Sequence, residues 1–155
     1  MNKKQLRELI VEATLHRIPL YSDEAVLAIM MIIAHESKKG AYIKQLGNGP
    51  ALGLIQMEPE THASVWKEGD SVWKNALFAG IISRQEYGAK LSPPATRLIH
   101  DLNYNVFMAR QRLFMKPEKL PTTTEEMSVY LKKHWNSAAG KATNTSYQKA
   151  YETWH

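Results

Sequence analysis

The apolar positions of this chain change rhythm several times before residue 60, and each change marks an element. Over residues 3–17, Leu6, Leu9, Ile10, Ala13 and Ile18 recur at helical spacing while charges fill the other face, which predicts an amphipathic helix. Ile18-Pro19-Leu20-Tyr21 breaks it. From Ala25 to Ala34 every position is apolar, and a helix apolar all round belongs at the centre of a fold. Ser22 is placed to cap it, Asp23 and Glu24 suit the positive end of its dipole, and Lys38-Lys39-Gly40 suit its other end.

Periodicity is then lost. Gly47-Asn48-Gly49-Pro50 demands turns, so residues 41–54 are expected to be irregular, with at most a small β-hairpin. Helical patterns resume over residues 59–66, 71–87 (closed by Gly88) and 96–115. The last of these carries Leu98, Leu102, Val106, Ala109 and Leu113 along one stripe. Thr123 and Glu126 fit a capping box before a helix running to about Trp135, and a final helix is expected over residues 144–154. Residues 137–143 form a Gly/Ala-rich connection. No internal repeat or linker divides the chain. The expectation is one mainly α domain over residues 1–155, with the 3–17 helix packed on it.

Composition narrows the chemistry only slightly. The 155 residues suffice for one real core, and 44% hydrophobic against 23% charged residues is globular rather than disordered. The absence of cysteine removes disulfides and thiol catalysis. A net charge of +5 favours an anionic polymer such as nucleic acid, acidic lipid or cell wall, although the basic residues are scattered enough for a merely solvated surface. Arg7, Glu8, Glu12, His16 and Arg17 interrupt the segment that a signal peptide would need apolar. The 25–34 run is short of the ~20 residues of a membrane span. A chain made in the cytosol without a signal peptide and without stable membrane insertion is therefore expected. Any role outside the membrane then requires release or carriage.

The residue on which the chemistry turns is Glu36. It ends the apolar helix and is followed by the Gly-rich stretch that closes on Gly53-Leu54-Ile55-Gln56. Burial disfavours a charged carboxylate, so an acid in such a place is a candidate proton donor to a glycosidic oxygen. A solvated helix-end Glu paired with Lys38 or Lys39 is the plainer alternative.

Taken together, Glu36-Ser37, Gly53-Leu54-Ile55-Gln56, Pro59 and Thr61 resemble the signature of soluble lytic transglycosylases and goose-type lysozymes, with Ile55 where a Met is usual. Residues 101–113 (DLNYNVFMARQRL) resemble that family's helix with an Asn and an Ala before a Leu. Trp135-Asn136-Ser137-Ala138-Ala139-Gly140 resembles its Tyr-Asn-Ala-Gly-x-Gly loop, with Trp135 in place of the Tyr and Ala138 in place of the first Gly. The ordering is similar to small phage lysins without a separate wall-binding domain.

The resemblance implies a lysozyme-like fold. It implies cleavage of the β-1,4 bond between N-acetylmuramic acid and N-acetylglucosamine, on peptidoglycan glycan strands, by a monomer needing no cofactor and no nucleic acid. Glu36 would be the acid. Glu58, near where goose-type lysozymes carry an Asp, would activate water, or stand as a solvent-facing Glu before Pro59. Gln56 and the backbone around Ala51–Leu54 would bind the sugar, Ser37 would support the site, Asn136 would orient an acetamido group, and Tyr42, Trp135 and Tyr104 would stack on rings unless they are core.

Zinc is not expected, because Lys39 occupies the second His position of an H-E-x-x-H motif begun by His35-Glu36, leaving only the distant His62. Two other classes stay open: a basic helical virion or nucleic-acid-binding protein, and a degenerate lysozyme-like domain that binds glycan without cutting it.

Overall fold

The computed structural model describes residues 1–136 and 140–155. Its first helix, α1 (residues 3–15), is wound in two ways. Leu6–Glu12 has the π pitch, between short α-helical turns Lys3–Gln5 and Ala13–Leu15. A π turn takes in about one more residue than an α turn. The buried positions accordingly fall at Leu6, Val11, Leu15 and Ile18. The predicted stripe is corrected: Leu9 is 66% exposed, and Ala13 also faces solvent.

The central helix α2 (Asp23–Glu36) is as its pattern demanded. The Ser22 hydroxyl accepts from the Ala25 amide at 3.0 Å, and every residue from Ala28 to Ala34 is buried. After α2 the chain forms the barest of hairpins. Lys44 and Leu52 make an antiparallel bridge, and Leu52 makes a second with Met57. Gly53 sits under this loop with φ +80°, and a Cβ there would collide with the Asn105 side chain and the Leu98 carbonyl. Asn105 is itself fully buried, giving its amide to the carbonyls of Leu98 and Asp101 at 2.8 Å each. The Asn of the 101–113 motif thus braces the glycine of the 53–56 motif.

α3 (Pro59–Lys67) follows, with Pro59 at its first position. The helix predicted over 71–87 is two helices, α4 (Asp70–Phe78) and α5 (Arg84–Ala89). Gly80 (φ +74°) turns the chain between them, and Ser83 and Glu86 form a reciprocal capping box that starts α5. Left-handed Lys90 (φ +53°), not Gly88, closes it.

The helix predicted over 96–115 is likewise α6 (Arg97–His100) and α7 (Leu102–Phe114). Asp101 adopts extended geometry between them, accepts from the Tyr104 amide at 3.0 Å and pairs with Arg97 at 2.9 Å. A cap that satisfies a new helix start outweighs continued periodicity. α8 (Thr124–Leu131) continues into a π turn, Lys132–Asn136. α9 (Ser146–Glu152) is shorter than predicted.

The described residues thus form nine helices with almost no strand, a mainly α fold. α1, α7, α8 and α9 all pack on α2. One hydrophobic core collects side chains from Leu6 to Trp154. Among the described residues no helix is long and apolar enough to cross a membrane.

Candidate functional site

Glu36 is the last residue of α2, where the buried rod reaches the surface. The helix stops there because Lys38, Lys39 and Gly40 take left-handed φ values of +49°, +65° and +78°. Ser37, fully buried, is the joint: its hydroxyl donates to the Ile33 carbonyl and accepts from the Gly40 amide, both at 3.2 Å. The Tyr42 hydroxyl donates to the Glu36 backbone carbonyl at 2.9 Å, tying the following loop back to the same residue.

The Glu36 carboxyl is 18% exposed, and its two oxygens are not equivalent. Oε1 accepts a 2.5 Å hydrogen bond from the Tyr147 hydroxyl of α9, and His35 Nδ1 lies 3.5 Å from the same oxygen. Tyr147 is fully buried, with the His35 ring centroid 4.3 Å from its own. Burial first, then the Glu36 charge, pushes the Tyr147 phenol far above its ordinary range, so it stays a hydrogen-bond donor.

Two cavities meet at this carboxyl. One, of about 290 Å³, is lined by Glu36, Gln56, Glu58, Thr61, Arg112, Trp135 and Asn136. The other, of about 280 Å³, is lined by Glu36, Tyr42, Gln45, Ala51, Gln56 and Glu58. Glu36, Gln56 and Glu58 belong to both, so a groove passes over the acid. Gln56 holds a left-handed backbone (φ +49°), a conformation costing roughly 1–2 kcal/mol outside glycine, and its amide donates to the Gly53 carbonyl at 2.9 Å. Glu58 is exposed in the extended residue just before α3, with no capping bond from its side chain.

Arg112 and Trp135 build the wall of the first cavity. The guanidinium carbon stands 4.6 Å from the Trp135 ring centroid, and Nη2 donates to the Trp135 carbonyl at 3.3 Å. Burial lowers the Arg112 pKa from its usual value, against the nearby Glu36 and Glu58 carboxylates, which raise it. The Asn136 side-chain oxygen accepts from Lys132 Nζ at 3.1 Å, and Lys132 also donates to the Gly140 carbonyl at 2.9 Å. The Asn136 side chain also bonds the Tyr147 hydroxyl.

No protein-family model, characterised protein or solved structure matches this chain. The site is therefore read from its own geometry.

The groove brings together Glu36, Glu58, Gln56, Tyr42, Trp135 and Asn136 out of the residues singled out in the sequence. Three others are corrected. Tyr104 is fully buried, donating to His62 Nε2 at 2.6 Å and accepting from Trp66 Nε1 at 3.0 Å, so no ligand ring can stack on it. Leu54 has no exposed surface, and its side chain belongs to the core. Ser37 touches backbone, not the groove, and its role is confined to shaping the helix end. Ser137, Ala138 and Ala139 of the 135–140 motif lie outside the described residues. His62, the imidazole weighed for a metal, is engaged with Tyr104, and among the described residues no three His, Asp or Glu side chains group as a metal site.

The sequence reading missed Tyr147, Arg112 and Gln45. Arg112 does fall inside the 101–113 motif, and its one signal was a charge on a helix otherwise committed to the core. Tyr147 gave no local signal, since its partner is 111 positions away.

Proposed function

We propose that this protein cleaves the glycan strands of peptidoglycan at the β-1,4 bond between N-acetylmuramic acid and N-acetylglucosamine, as a lysin of the phage type. The observation that carries the proposal is the Glu36 carboxyl at the junction of two cavities, with one oxygen engaged by a buried phenol. With Oε1 held by Tyr147, Oε2 is the oxygen left to carry a proton to the bridging oxygen of a sugar chain lying along the groove. As the C1–O4 bond breaks, O4 leaves as a hydroxyl with the Glu36 proton, and C1 develops positive charge beside Glu58. Gln56, Asn136 and Tyr42 supply the amide and hydroxyl contacts that acetamido sugars require, and Trp135 supplies an apolar face.

The nucleophile then decides the product. Water activated by Glu58 gives a reducing sugar. Alternatively the substrate's own acetamido oxygen attacks C1 first, and the C6 hydroxyl then displaces it while Glu36, now the base, takes the hydroxyl proton, which gives a 1,6-anhydro product and leaves Glu58 a spectator. Mass spectrometry of the muropeptides separates the two by one water. The net charge of +5 holds the protein on an anionic wall, so clearing weakens as salt rises.

Turbidity clearing of purified cell walls tests the proposal. Glu36→Gln is expected to lower the rate by about 10²–10⁴-fold while the thermal midpoint stays near that of the wild type. Equal clearing by both proteins removes Glu36 from the mechanism. No clearing by either returns the groove to a binding role.

A further inference from the structure

The two halves of the groove differ in charge. On the Tyr42 side the groove adds Gln45 and Ala51, which are neutral; on the Trp135 side it adds one cation, Arg112. That cation is unusually placed. Burial lowers its pKa, yet among the described residues no carboxylate forms an ion pair with it, and its one hydrogen bond goes to a neutral carbonyl. Arg97, by contrast, is paired with Asp101 at 2.9 Å. The Arg112 guanidinium is held over the Trp135 ring and by one bond to its carbonyl, and four of its five N–H donors are left for other partners. A desolvated, oriented guanidinium without a contact counter-ion is built to take a carboxylate in a fork.

We infer that Arg112 is a specificity-determining residue that recognises a carboxylate carried by the substrate strand on the Trp135 side of Glu36. The inference rests on the glycan-cleaving reading above and gives it a direction. The muramic sugar, whose lactyl arm bears either a free carboxylate or an acidic stem peptide, occupies the Arg112 side. The uncharged N-acetylglucosamine occupies the Tyr42 side. Glu58 repels such an anion, but Glu58 is exposed and screened by solvent, whereas the partly buried Arg112 would meet the anion at contact distance.

The test uses the full chain carrying Glu36→Gln, so that ligands survive, and reads affinity by calorimetry. Three ligands of matched length serve as probes: a neutral N-acetylglucosamine oligomer, glycan strands stripped of peptide and bearing free lactyl carboxylates, and strands with their stem peptides. The carboxylate-bearing strands are expected to bind about tenfold more tightly than the neutral oligomer. Adding Arg112→Gln is expected to bring the ratio of acidic to neutral affinity down to about one, whatever the neutral oligomer's own affinity becomes, and Arg112→Lys, which keeps the charge without the fork, to retain part of the preference.

A gain confined to stripped strands assigns the anion to the lactyl group, and a gain confined to peptide-bearing strands assigns it to the stem; both support the inference. Equal binding of neutral and acidic ligands, binding of none, or a preference that survives Arg112→Gln overturns it. Because affinity is read without turnover, this failure is distinct from failure of the cleavage reading, which wall clearing by the wild type decides.

Discussion

Two fully buried tyrosines, Tyr104 and Tyr147, have hydroxyls in short hydrogen bonds, and only Tyr147 is bonded to a residue that lines the groove. Tyr104 sits between His62 and Trp66, both buried themselves, so its hydroxyl is engaged on both sides by groups that line neither cavity. Trp66 Nε1 can only donate, so the Tyr104 oxygen accepts from it, and the phenol proton finds a partner when His62 is the neutral tautomer that accepts on Nε2. Tyr147 spends its proton on a carboxylate that lines two cavities. The difference teaches that burial of a polar side chain does not separate structural from functional roles. What separates them is whether the partner at the far end of the bond is closed off or open.

The sharpest way to break this contrast is to remove each hydroxyl in turn. Tyr147→Phe is expected to slow wall clearing by about ten- to a hundredfold, because it frees Oε1 and lets the acid rotate, with a smaller change in unfolding midpoint. A turnover that falls only in step with stability would make Tyr147 a second Tyr104. Tyr104→Phe is expected to do the reverse. It strands the buried His62 and Trp66 nitrogens, at a cost of about 2–4 kcal/mol in denaturant unfolding, with turnover per folded molecule unchanged.

The smallest effect is in pH. Burial lowers the His62 pKa below its ordinary 6.5, so as pH falls through ~6.5 the unfolded chain takes up a proton that the folded chain refuses. Stability contributed by neutral His62 is therefore complete above that pH and is lost progressively below it. Denaturant midpoints between pH 5 and 8 should show the loss in the wild type and a weaker one in His62→Asn; a flat wild-type profile would show that His62 accepts its proton without strain.

The same contrast explains what could be read from the chain in advance. α2 was legible because its evidence is local: ten consecutive apolar positions and a capping serine leave no other place for it than the centre. Glu36 was singled out by its place at the end of that run, and Gln56 and Glu58 by the resemblance of the segment after it to a known signature. The breaks at Gly80 and Asp101 were written in the sequence too, as the Ser83–Glu86 box and an Asp three residues before Tyr104, but helical periodicity on both sides masked them. The face of α1 was misjudged because a π pitch leaves no mark in a count that assumes α spacing. Tyr104 and Tyr147 are alike at the level of residue type, and only their distant partners distinguish them. No rule of spacing could therefore have sorted the two, nor shown that Arg112 turns toward the groove.

The bond between Tyr147 and Glu36 also sets a timetable. Its two residues are 111 positions apart, so a ribosome must translate well past α8 before the phenol exists to meet the carboxyl. The pairing is complete only once α9 follows, so a chain cut short before α9 would hold the same carboxyl without its phenol donor.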